Sequence, residues 1–162
     1  MYITFEEYDN LYNPIDLQLF KRLSFDAARV MDIHTTGIDN VKKLKRFYPV
    51  DKESADAVKF CAARLINTLA QIQEAEQSMA MSRGYTQTEN GLQRKIISRV
   101  EAGNEAISYM ESNAADSIID KAAADKRVRD KLLGDIVREC LSGISDANGV
   151  NLLHLGKYPR RY

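Results

Sequence analysis

The stretch from Lys52 to Met81 constrains this chain more than any other. Val58, Cys61, Ala62, Leu65, Leu69, Ile72, Ala75 and Met79 recur at three- and four-residue steps, which puts them on one stripe of a single helix. Asp51, shortly after Pro49, is suited to cap its start. Ala62, Ala63 and Ala70 let a second helix approach closely. A helix of this length with an apolar stripe must be covered by others. The pattern predicts a mostly α fold, a small bundle of about four helices with Lys52 to Met81 at its centre. Leu65 and Leu69 are expected to be nearly fully buried.

The covering elements are legible on either side. Thr4 and Glu7 have capping-box spacing, so a short helix is expected from Phe5, with Phe5, Tyr8, Leu11 and Tyr12 docked on the core. Asn13 suits an N-cap, Pro14 a first helical position, and Asp16 the positive helix start. Phe20, Leu23, Ala27, Val30, Met31 and His34 then mark a helix from about Pro14 to His34, closed by Gly37. Lys42, Lys43, Lys45 and Arg46, beside Phe47 and Tyr48, are read as solvated surface. Ser82 to Gln93 reads as a polar loop. Alternation around Gly103-Asn104 predicts one β-hairpin at about 96–110. Such a hairpin is marginal alone, so it packs on the helices or takes strands from another chain. The last helical region follows Asn113, with a weak part at Ile118 to Ala124. A strong part follows at Leu133, Ile136, Val137, Cys140 and Leu141. The expected division is a helical body over 1–143 and an extended C-terminal tail over 144–162. The tail's apolar residues dock on their own core or on a neighbour.

Charge and chemistry narrow the function. Lys plus Arg and Asp plus Glu both number 23, for a formal net charge of +0, so there is no basic excess for wrapping nucleic acid. No apolar run approaches the roughly 20 residues of a membrane helix. No signal peptide is visible, and the chain is expected to be soluble and intracellular. Cys61 and Cys140 fit free thiols in a reducing compartment. His34 and His154 have no partners at ligand spacing, so no metal site is expected. His34, at a helix end, is placed where its charged form favours the dipole. Phosphate loops, dinucleotide fingerprints and nucleophile elbows do not occur. No catalytic residue and no cofactor are expected, and the chain is not read as an enzyme.

Several local strings resemble the head–tail connector proteins of tailed phages and prophages, the adaptors that form a ring beneath the portal. These strings are Tyr2-Ile3-Thr4-Phe5-Glu6-Glu7-Tyr8, Phe20-Lys21-Arg22-Leu23, Ala27-Ala28-Arg29, and Met31-Asp32-Ile33-His34-Thr35-Thr36-Gly37. Ala57 to Cys61, Ser98 to Tyr109, Leu141-Ser142-Gly143 and Val150 to Leu155 add to the resemblance. The chain departs from the family pattern in Ile38-Asp39, where an arginine is common, and in His154 to Tyr158, which replaces a short Tyr-Arg-Gly tail.

The resemblance implies a structural protein of the virion neck, made in the bacterial host cytoplasm. It completes the head after DNA packaging and provides the tail attachment site. Its implied partners are the portal protein, copies of itself in a ring (dodecameric by the same resemblance), and a tail-side stopper or tail protein. DNA passes through without sequence-specific binding, and no membrane is involved. The expected interface residues are Arg99, Glu101, Asn104, Glu105, Ile107 and Tyr109 of the hairpin, with Leu152, Leu153, Leu155, Tyr158, Arg160, Arg161 and Tyr162 of the tail. The alternative is a small helical DNA-binding regulator, for which Gly37 to Arg46 is the sole candidate reading region. A third reading is a helical enzyme with its site at the loop.

Overall fold

The computed structural model describes the backbone of residues 1–81, 85–88, 91–100, 107–111 and 117–159, and the side chains of 1–79 and 117–159. The fold is mostly α. Among the described residues are six helices: α1 Phe5–Asp9, α2 Leu17–Thr35, α3 Lys43–Arg46, α4 Lys52–Met81, α5 Ile118–Ala124 and α6 Lys126–Cys140. Between α4 and α5 the backbone is extended in β1 Tyr85–Thr88, β2 Gly91–Val100 and β3 Ile107–Glu111, antiparallel in that order. The hairpin expected over 96–110 falls in this segment. Its turn, residues 101–106, and all its side chains lie outside the described residues.

The chain divides into two compact units, Met1–Ala70 with Asp130–Tyr162, and Gln71–Arg129. The C-terminal segment thus belongs to the same unit as α1 to α3. In that first unit, α1 starts with the expected capping box. The Glu7 N–H donates to the Thr4 hydroxyl at 3.2 Å, and the Thr4 N–H donates to the Glu7 carboxylate at 2.9 Å. The ring of Phe5 meets Phe20 edge-on at 5.2 Å, and Tyr8 lies 5.5 Å from the same ring. Leu11, expected on this docked face, is exposed.

Helix α2 begins three residues later than the proline signal suggests. Asp16 is its N-cap, because one carboxylate accepts from both Gln18 N–H at 2.8 Å and Leu19 N–H at 3.1 Å. At its other end the hydroxyls of Thr35 and Thr36 donate back to the carbonyls of Met31 and Asp32. Gly37 does not close the helix in a left-handed turn. A Cβ there would stand 2.5 Å from the carbonyl oxygen of Gly156, so the glycine admits the C-terminal segment rather than ending α2.

Helix α4 has the expected span, and Val58, Cys61 and Leu65 of its stripe are fully buried. Ala63 and Ile66, off the stripe, are also buried, so α4 is covered on more than one face. Leu69, expected in the core, is only partly buried at its edge. Leu133, Ile136 and Val137 of α6, with Leu141 just beyond it, join the cluster with Tyr8, Phe20, Met31 and Leu44. Helices α2 and α6 come close where Gly134 faces His34, since a Cβ on Gly134 would meet the imidazole at 2.9 Å. Burial, and then the Arg138 guanidinium, hold the His34 pKa below its ordinary value. The imidazole therefore favours its neutral form, contrary to the expected charged partner of the helix dipole.

The second unit holds Ile72 and Ala122 buried, the latter on α5, which Ser117 caps through the Ile119 N–H at 3.2 Å. Asp125 interrupts the last helical region, its carboxylate accepting from Arg127 N–H at 2.7 Å as α6 begins. Arg129 and Glu76 form an ion pair at 2.6 Å.

Two outcomes follow for the first unit. Leu65→Ala should destabilise by about 2–5 kcal/mol in urea unfolding, through lost transfer energy and the cavity left behind; a change below about 0.5 kcal/mol would place Leu65 outside the core. Because the folded pKa of His34 lies below the unfolded value of about 6.5, the unfolded chain binds more protons in the interval between the two. Stability should fall as pH drops from about 6.5 toward the folded pKa and then level off. His34→Gln should flatten that part of the pH–stability curve, and an unchanged slope would show that other groups set it.

Candidate interaction surface

Lys43 organises the outer layer of the first unit. The basic stretch around it reads as solvated, yet Lys43 is 0% exposed. Its ammonium donates to the carbonyls of Leu152 at 2.8 Å and Asn151 at 3.3 Å, and also to that of His154. Burial lowers its pKa, and the nearby carboxylates of Asp146 and Asp39 pull it back up. One turn of helix, α3, supplies this side chain.

The C-terminal segment closes around that ammonium. Leu152 N–H donates to the Ile144 carbonyl at 2.9 Å and Asp146 N–H to the Val150 carbonyl at 2.8 Å, which folds 144–152 back on itself. Ile38 N–H donates to the Leu155 carbonyl at 2.9 Å, and Tyr158 N–H to the Asp39 carboxylate at 2.7 Å. The Tyr158 ring stacks on Phe47 at 4.8 Å, and its hydroxyl donates to Asp146 at 2.6 Å. Leu152 is 0% exposed and belongs to the core cluster. Up to residue 159 the tail is therefore a strap on its own body, not a free extended arm.

This changes the standing of the expected interface residues. Leu152 is inaccessible, Leu153 is partly buried against the core, and Tyr158 is engaged with Phe47, Asp39 and Asp146. Leu155 remains at the surface, 53% exposed. Arg160, Arg161 and Tyr162 lie outside the described residues, as do Glu101, Asn104 and Glu105. For Arg99, Ile107 and Tyr109 the backbone alone is described, opposite Ser108, Val100 and Ile97 respectively.

Among the described residues, the first unit carries apolar hollows that the sequence reading missed, two of which bear on assembly. One, of about 620 Å³, is lined by apolar Met1, Phe25, Ala28 and Ile33 together with the cations Arg29, Lys42 and Lys45. Phe25 is 72% exposed and Ile33 61%. Its single carboxylate, Asp32, is paired with Lys45 at 2.8 Å, so the lining is net basic. The other, of about 420 Å³, is formed by Ile3, Leu11 and Phe60 with Glu7, Asp56 and Lys59. There Lys59 is spent on Glu7 at 2.6 Å, which leaves the balance acidic. The signal for the first hollow was present: Phe25 and Ile33 fall off the α2 stripe, so no core position accounts for them.

The described residues contain no group of three or more His, Cys, Asp or Glu arranged to hold a metal ion. No described helix is long and apolar enough to cross a membrane. Comparison of the chain with family models, with curated proteins and with solved structures finds no match.

The strap is tested by removing its anchor. Lys43→Met should cost about 1–3 kcal/mol in unfolding free energy, because tail carbonyls lose their donor inside the protein. A chain ending at Gly149 loses Leu152 and those acceptors together. It should be unfolded by circular dichroism where the full chain is folded; a folded, cooperative truncate would show the strap to be dispensable.

Proposed function

We propose that this chain is a structural head–tail connector of a tailed phage or prophage, one copy in a ring beneath the portal that completes the head and receives the tail. The sequence strings quoted above support the family. The observation that carries the assembly part is the pair of exposed apolar hollows with opposite charge balance on one body. A surface that complements a different surface of the same molecule makes head-to-tail contacts, which close into a ring when the rotation permits. The apolar linings, around Phe25 and Ile33 in one and Leu11 and Phe60 in the other, supply burial. Their basic and acidic side chains supply orientation.

In this reading the strapped tail stiffens each subunit. The segment containing Arg99, Ile107 and Tyr109, proposed as a hairpin, and the terminal Arg160, Arg161 and Tyr162 reach the portal and the tail-side protein. The DNA-binding alternative gains little from Gly37 to Arg46, where α3 is a single turn and Lys43 points inward.

Electron microscopy of the full chain mixed with its cognate portal should show a ring on the portal's tail-side face. Phe25→Asp and Leu11→Asp should each abolish self-association with unchanged circular dichroism. Mixed together, the two variants should form a complex of one copy of each, because each retains the hollow the other has lost. Rings formed equally well by both variants, or a wild-type chain that joins neither itself nor a portal, would contradict the proposal.

A further inference from the structure

The two cysteines of the chain, Cys61 on α4 and Cys140 at the end of α6, are neighbours within the first unit. They are unbridged; Cys61 is buried and Cys140 is partly open to solvent. The Cys61 thiol is the titratable neighbour that acts most strongly on the Cys140 sulfur. Arg64 adds a donor, its Nη1 standing 3.8 Å from Cys140 Sγ, while its Nη2 pairs with Glu139 at 3.0 Å. Tyr12 is the other titratable group close to the pair. A cysteine that merely fills a core needs neither a second thiol nor a guanidinium aimed at its sulfur. This arrangement suits a thiolate on Cys140. The neighbouring Cys61 thiol first, and then Arg64, pull the Cys140 pKa below its ordinary value, against burial, while Cys61 is pushed up.

We propose that Cys140 and Cys61 form a hydroperoxide-reactive dithiol, in which Cys140 is the oxidation site and Cys61 closes the product to an intramolecular disulfide between α4 and α6. The Cys140 thiolate attacks one oxygen of hydrogen peroxide. The O–O bond breaks, hydroxide leaves, and Cys140 becomes a sulfenic acid. The Cys61 sulfur then attacks the Cys140 sulfur. The S–O bond breaks, the hydroxyl leaves with the Cys61 proton as water, and the S–S bond forms. The two sulfurs together surrender two electrons, which reduce one peroxide. The second step needs no other chain, because both sulfurs belong to the first unit and neighbour each other there. Arg64 holds the thiolate in place and is a positioning residue. The proposal is independent of the connector reading.

The test uses the reduced full-length chain with equimolar hydrogen peroxide at neutral pH, followed by intact mass spectrometry. The native protein should lose two hydrogens in mass and both its alkylatable thiols, faster than the same chain in denaturant. Cys61→Ala should instead hold a sulfenic acid on Cys140 that dimedone traps. Arg64→Gln should slow the oxidation about tenfold at neutral pH, as the thiolate fraction falls, with less slowing at alkaline pH. If Cys61→Ala does not fold, dimedone added to the wild-type reaction should divert part of the product to a Cys140 adduct. Native thiols that react no faster than denatured ones, a dimedone adduct on Cys61, or a disulfide between two chains would overturn the proposal.

Discussion

A buried lysine ammonium dictates much of this structure. Burying such a cation costs several kcal/mol unless it is matched by well-placed acceptors. Lys43 finds them in the carbonyls of Asn151, Leu152 and His154. It follows that α3 and the C-terminal segment can be folded only together. Leu152 fills the core beneath the ammonium, Asp146 and Asp39 add negative field around it, and Gly37 leaves room for the chain to pass at Gly156. The same carboxylates fasten Tyr158, so the charge that offsets Lys43 also secures the end of the strap.

The strap determines what is left for partners. Residues that an interface would use, Leu152 and Tyr158 among them, are committed to their own body. Part of the apolar surface that stays open comes from helix positions facing away from the core, Phe25 and Ile33 on α2 and Phe60 on α4. Their hollows carry opposite charge balances within a chain whose formal net charge is +0. A neutral total can conceal two complementary faces, and for a self-assembling subunit the distribution matters more than the sum.

Local chemistry was legible in the sequence wherever the deciding residues are neighbours. The Thr4–Glu7 box, the span of α4 and the Leu133 to Leu141 stripe depend on spacing alone and appear as read. Asn13-Pro14 and Asp16 are both valid start signals for α2, and the two N–H groups capped by Asp16 decide between them. Lys43 was illegible for a different reason. Its acceptors are over a hundred residues away, and a lysine among Lys42, Lys45 and Arg46 has no local mark of burial. Gly37 reads as a helix stop, since a glycine required by a distant carbonyl looks the same in sequence as one required by its own backbone angles. The dithiol was half legible: both cysteines fall on core stripes, but only the packing of α4 on α6 brings Arg64 to Cys140.

Native-state hydrogen exchange tests the central claim, that the C-terminal strap is core, most directly. The N–H groups of Ile38, Asp146 and Leu152, bonded to the carbonyls of Leu155, Val150 and Ile144, report the strap; that of Leu65 in α4 reports the body. If the strap is core, all four exchange only through global unfolding, with the same free energy and the same denaturant dependence. Exchange of Ile38, Asp146 and Leu152 through a separate opening of lower free energy, with Leu65 still protected, would contradict the account.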